Sequence, residues 1–267
     1  MTTRERFKTK LVVGAVCSVF VAALFASRGN VSAQSDSGCG SLPSQADLKQ
    51  ALVGARNDSN GGFGLDMWGT VVNRDGIVCA VAFTGADRGS QWPGSRVISA
   101  QKANTANAFS LPGLALSTAN LWAAVQPGGS LFGLQESNPV ETGAAYQGPS
   151  SKFGTAGDPL VGQKIGGINV FGGGLALYNA SHVLVGGIGV SGDTSCADHN
   201  IAWRTRHTLN LDFVPGGVGP DSGRADNINY QTLVPVPSLA NDFSHPICKI
   251  AGVDGVSAIS AGLPVTQ

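Results

Sequence analysis

Phe171 to Asn200 reads FGGGLALYNASHVLVGGIGVSGDTSCADHN, and the interpretation of the whole chain turns on it. Two apolar runs, Leu175 to Tyr178 and Val183 to Val190, flank the turn-like Asn179-Ala180-Ser181. Short apolar runs bounded by turn residues are the pattern of paired strands, so the stretch predicts a hairpin. Gly172-Gly173-Gly174 stands before the first strand, and Gly189 and Gly192 bracket the end of the second. Glycine at such points removes a side chain where another backbone or a ligand comes close. Ser191-Gly192-Asp193-Thr194-Ser195 then leads into Asp198-His199, the predicted first turn of a helix. On composition alone the stretch is a tight hairpin packed on a helix.

The ordered pattern carries more. A Gly-Gly-Gly turn, a strand, a short polar turn, V-G-G-I-G-V-S-G and an Asp-led helix resemble the GlcG/HbpS family of haem-binding proteins, whose related module forms the C-terminal part of PduO-type proteins. Ser99-Ala100-Gln101-Lys102-Ala103-Asn104-Thr105-Ala106 is similar to the family's S-A-x-K-A-x-T-A helix. The resemblance spans roughly 42–211 and implies an α+β fold: helix, hairpin, two helices, three strands and a helix, with an antiparallel sheet of about five strands. It implies haem as ligand and assembly into a homo-oligomer. Carried onto this sequence, it implies a pocket formed by Lys102, Thr105, Gly172, Gly173, Gly174, Ser191, Gly192 and Asp198. Lys102 would pair a propionate, and the bare glycines would admit a flat macrocycle. The motif names no iron ligand. His199, opening a helix beside the pocket, is the first candidate and His182, in the central hairpin, the second, because a neutral imidazole suits iron. His199 stands where the family often has an acid, which weighs against a carboxylate-based iron site. The plain alternative for Lys102 is a solvated surface lysine, and for each histidine a surface position.

At the other end of the chain, Arg4, Arg6, Lys8 and Lys10 precede an apolar run from Leu11 to Ala26, and Val31-Ser32-Ala33 offers small residues at the positions a signal peptidase reads. Residues 1–33 therefore read as an export signal, and a periplasmic or secreted protein is expected. The run is shorter than the roughly 20 residues of a membrane span. The full chain carries 17 basic and 17 acidic residues; removing Arg4, Arg6, Lys8, Lys10, Arg28 and Glu5 leaves 12 against 16, a net of −4. A mildly acidic chain without a basic run is a poor partner for nucleic acid or anionic membrane.

Four cysteines follow the signal: Cys39, Cys79, Cys196 and Cys248. An even count in an exported chain argues for two disulfides, and no C-x-x-C pair suggests a zinc or thioredoxin-like motif. Three pairings are possible. Cys196 follows the central hairpin and Cys248 lies in an irregular tail that needs tying down, so Cys196–Cys248 and hence Cys39–Cys79 are expected, with free thiols as the alternative.

Leu42-Pro43-Ser44 followed by Asp47, Leu48, Ala51, Leu52 and Ala55 predicts a capped amphipathic helix that stops at Asn60-Gly61-Gly62. Met67 to Val72 and Ile77 to Phe83, joined through Asp75-Gly76, predict a hairpin. An alanine-rich helix is expected over Val97 to Phe109, with Lys102 and Thr105 on one face. Residues 126–166 carry Gly, Ser and Pro and read as a loop insertion, a lid or padding at a subunit contact. Ala197 to Leu209 is the last helix. Its His199 and His207 lie eight residues apart, about 12 Å along a helix, too far to share one metal. Residues 212–267 read as an extended tail laid over the domain and frayed beyond Gly252.

No catalytic constellation emerges. Gly189-Val190-Ser191-Gly192-Asp193 lacks the second glycine of a nucleophile elbow, and neither a phosphate loop nor H-E-x-x-H is present. Three functions compete: an exported tetrapyrrole-binding protein with weak haem-linked redox or haem-degrading chemistry, an enzyme or accessory module acting on another small anionic molecule, and an oligomeric structural protein with a vestigial pocket.

Overall fold

The computed structural model describes residues 38–231, 243–249 and 255–267, all within the unit Ser37–Gln267. The export signal expected over 1–33 lies outside the described residues.

The first helix, α1, runs Gln45–Asn57 and begins where the sequence places it. Ser44 Oγ accepts from the Asp47 amide while the Asp47 carboxylate accepts from the Ser44 amide, at 3.2 and 3.1 Å, satisfying two amides that a helix start leaves bare. The first hairpin is β1, Trp68–Asn73, and β2, Val78–Phe83, turning through Gly76 at φ +74°, where a side chain would be strained. Helix α2 is Ser95–Phe109, β3 is Gly174–Tyr178, β4 is Leu184–Ser191, and the next long helix is Ser195–Thr208. Between α2 and β3 the insertion is built of turns, with one short helix, α3, at Thr142–Ala145; the helix Ser195–Thr208 is α4.

The antiparallel sheet has four strands in the order β2-β1-β4-β3, against the expected five or so. The insertion and the segment after α2 supply only isolated bridges and short 3-10 turns, because their closely spaced Gly, Ser and Pro interrupt any run long enough to pair. Helix α2 covers one face, and α1 with α4 covers the other. Strand alternation sorts the core accordingly. Trp68 and Val72 pack with Val97, Ala100 and Ala103 of α2, while Val71, Ile188 and Val190 pack with Leu48, Leu52 and Ile201 of the other layer.

The glycines of β4 set the spacing between sheet and helix. A Cβ at Gly189 would stand 1.9 Å from the Ser99 carbonyl oxygen, and one at Gly187 would stand 2.4 Å from that of Ala103. Strand backbone meets helix backbone here, which alanine and serine on α2 permit from the other side. The close partner of these glycines is the protein itself.

Both disulfides join the expected cysteines, Cys39 to Cys79 and Cys196 to Cys248. The tail departs from expectation at its end. Residues past Gly252 are not all frayed: α5, Val256–Ala261, is followed by fully buried Leu263, and Trp203 Nε1 donates to the Pro264 carbonyl at 3.0 Å. The apolar surface of α4 accounts for this docking. Arg206 is buried against Asp226 of the tail at 2.5 and 2.9 Å. Arg204 stays partly exposed near Asp58.

Candidate functional site

Strand register brings one end of the sheet together. Trp68 pairs with Ser191, and Gly174 with Gly189, so the start of β1, the end of β4 and the glycine turn before β3 converge where α4 begins. Lys102 of α2 reaches into this convergence. Its ammonium donates to Asp198 Oδ2 at 2.7 Å and to the Val190 carbonyl at 3.0 Å, and the residue is 1% exposed. Asp198 Oδ1 accepts from the Asp193 amide at 2.8 Å. Asp193 in turn accepts from the amides of Phe63, Leu65 and Thr194, fastening the loop before β1 to the start of α4.

Burial dominates the electrostatics of this pair. Desolvation pushes the Lys102 ammonium below its ordinary range and raises the Asp198 carboxyl to about 6, the attraction between them offsetting part of each shift.

Lys102, Asp198, Ser191 and the glycines are therefore gathered at one end of the sheet, and their space is filled. A Cβ at Gly172 would lie 2.3 Å from the Ser195 carbonyl oxygen, one at Gly173 2.3 Å from that of Val190, and one at Gly174 2.4 Å from the Thr118 methyl. Gly192 meets the Asp66 carbonyl in the same way, at 2.3 Å. Ser191 Oγ donates to Ser95 Oγ at 3.2 Å. Thr105 does not share the Lys102 environment: its hydroxyl donates to the Gln101 carbonyl of its own helix and accepts from the Asn169 amide. His199 is fully buried in α4, with Nε2 3.1 Å from Asn227 Oδ1 and Nδ1 unpaired, and burial lowers its pKa to about 3. His182 sits at φ +56° in the turn joining β3 to β4, its Nδ1 3.0 Å from the Phe213 carbonyl. A five-residue strand, about 13 Å long, separates it from the glycine turn.

A histidine outside the quoted motifs lies on the glycine turn. His245 Nε2 is 2.7 Å from Ser195 Oγ, and that hydroxyl accepts from the Gly172 amide at 2.6 Å. His245 Nδ1 stands 2.6 Å from the Pro246 carbonyl, and Trp122 lies beside the ring at 6.0 Å between centroids. Burial lowers the pKa of His245 to about 4, so the imidazole is neutral near pH 7. Cys248 of the same segment is bonded to Cys196 in the first turn of α4. The spacing H-x-x-C was visible in the chain; its placement on Ser195 was not.

A family model described as haem-degrading protein HbpS-like matches residues 44–206. The chain belongs to the HbpS-like family. Three solved structures are similar. A PduOC–haem complex is 22% identical over 62% of this chain and 91% of that one, with a TM-score of 0.43. The Klebsiella pneumoniae protein ORFY is 22% identical over 62% and 90%, with a TM-score of 0.42. HbpS is 19% identical over 62% and 86%, with a TM-score of 0.41. No curated protein matches the sequence. The HbpS-like span contains α1, the hairpins, Lys102, the glycine turn and most of α4, and it ends before His245 and Cys248.

Proposed function

We propose that this HbpS-like protein binds haem, and that it does so outside the cytoplasm. The observation that carries the reading is the family match across 44–206, which includes both the Lys102 helix and the glycine turn. Export rests on the N-terminal signal pattern and is supported by the two disulfides.

Haem does not fit the Lys102 cluster as it is closed here. The glycine cradles are occupied by the chain's own atoms, Lys102 is already paired, and neither His199 nor His182 faces the turn. Part of the cover comes from residues 243–249, which lie outside the HbpS-like span. Movement of that segment would uncover Ser195 and Trp122 and leave the contacts of Gly172, Gly173 and Gly174 with Ser195, Val190 and Thr118 in place. Weak haem-linked redox or haem-degrading chemistry, and assembly into a homo-oligomer that covers exposed Phe63 or Phe171, belong to the same reading. Haemin titration of the full chain checks it: a saturable Soret band is expected, and a flat titration removes the proposal. Size-exclusion chromatography with light scattering reads the assembly.

One observation favours a second reading, a module for another small anionic molecule. A groove of about 360 Å³ is lined by Trp68, Arg88, Pro93, Ser150 and Phe153, with the carboxylate-bearing Asp87 beside Arg88. Arg88 makes no ion pair among the described residues, and the indole N–H of buried Trp68 has no acceptor. A flat carboxylate would answer Arg88 while stacking on the aromatic walls. Binding of such acids, lost in Arg88→Ala and unaffected by haemin, would establish this reading over the first.

A further inference from the structure

We propose that Cys196, His245 and Cys248 form a thiophilic metal site, closed while the two cysteines are bonded to each other and opened by their reduction. The proposal is independent of haem binding. One ligand atom from each of the three residues lies within 4.8 Å of the others, with Cys196 and His245 buried and Cys248 partly so. Two thiolates and one neutral imidazole are a soft, compact donor set of the kind that holds zinc(II) with one coordination position left open.

Three local features prepare the groups for this role. His245 has its Nδ1 against the Pro246 carbonyl, an interaction that keeps the proton on Nδ1 and the lone pair on Nε2. That tautomer leaves Nε2 as the ring nitrogen with a lone pair for a metal. Nε2 is meanwhile held by the Ser195 hydroxyl, a partner that yields without leaving a buried charge. Cys196 lies in the first turn of a fourteen-residue helix, and its own amide donates to Cys248 Sγ at 3.2 Å. Backbone N–H groups at a helix start favour negative charge, so both sulfurs, once reduced, have their thiolate forms stabilised.

The chemistry balances with an external dithiol. The dithiol is oxidised to its own disulfide while the Cys196–Cys248 bond breaks, and two electrons and two protons pass to the two sulfurs. Zinc(II) then displaces the two thiol protons and takes the His245 Nε2 lone pair. The ion would replace the disulfide as the link between α4 and residues 243–249.

The test uses the full chain, oxidised or reduced with a phosphine, with zinc measured against a chromophoric chelator and cobalt(II) as a spectroscopic probe. The reduced chain should take up one ion with thiolate-to-cobalt charge-transfer bands, and the oxidised chain none. His245→Ala, which leaves the disulfide intact before reduction, should weaken zinc at least about tenfold. Cys248→Ser should reduce the charge-transfer intensity, while Cys39→Ser should change neither readout. Cobalt uptake without thiolate bands, uptake equal in oxidised and reduced chains, or zinc affinity unchanged in His245→Ala would each overturn the proposal.

Discussion

Lys102 and Asp198, 96 positions apart in sequence, form an ion pair at 2.7 Å in which the side chains are 1% and 3% exposed. The lysine of the Ser99–Ala106 motif is thus bonded within the chain, and its partner is the aspartate of the helix that closes the glycine-rich motif. The pair ties α2 to α4 across the sheet end, with the Val190 carbonyl as a third member.

A buried pair is costly to break singly and cheap to replace whole. Lys102→Met or Asp198→Asn should destabilise the fold by about 3 to 5 kcal/mol, because each leaves an unanswered buried group. The double variant Lys102→Met/Asp198→Asn should cost less than the two singles added together. Urea denaturation reads this, and strict additivity would mean that the two residues are not coupled.

Backbone contact between β4 and α2 makes a sharper forecast. Gly189→Ala puts a methyl where the Ser99 carbonyl oxygen now lies 1.9 Å away, so the helix must shift, at about 1 to 3 kcal/mol. Gly54→Ala, in α1 with open space at its Cβ position, should raise stability by up to about 1 kcal/mol. Equal effects from the two substitutions would show that the sheet face does not have the close approach described.

Acid should weaken the protein well above the usual carboxylate range. Burial lowers His199 from 6.5 to about 3 and His245 from 6.5 to about 4. The unfolded chain therefore binds protons that the folded chain refuses, and stability present above the unfolded pKa is lost as pH falls from 6.5 toward those values. Asp198 acts the other way. Its folded pKa, raised from 3.8 to about 6, makes it take a proton first in the folded state and adds stability as pH falls through 6. Two histidines outweigh one aspartate, so the denaturation midpoint at about pH 5 should lie below that at pH 7, and His245→Gln should flatten the difference. A midpoint that rises on acidification contradicts this assignment.

The two disulfides should differ in kind of effect. Each closes a long loop, with separations of 40 and 52 residues, for which chain entropy alone gives about 4 kcal/mol. Loss of Cys196–Cys248 also frees the segment that carries buried Ser244 and His245. Cys196→Ser/Cys248→Ser should therefore open residues 243–249 to limited proteolysis, and Cys39→Ser/Cys79→Ser should not. Cleavage at the same site in both variants would show that the disulfide is not what holds the segment.

Local rules determined much of this protein from the chain alone. Ser44 with Asp47 starts α1, Asp75-Gly76 turns the first hairpin, and the glycine-bounded runs around Asn179 make β3 and β4, all through interactions between residues a few positions apart. The two motif blocks likewise carried the α+β class and the HbpS-like family, since both depend on residue order. Tertiary structure decided the rest, because contacts between residues 28, 50 or 96 positions apart leave no periodicity to read. It put Lys102 on Asp198, placed backbone rather than ligand against Gly172, Gly187 and Gly189, enclosed His199 with Asn227, and laid His245 on Ser195. A glycine in sequence says only that something comes close; which atoms do so is settled when the layers pack.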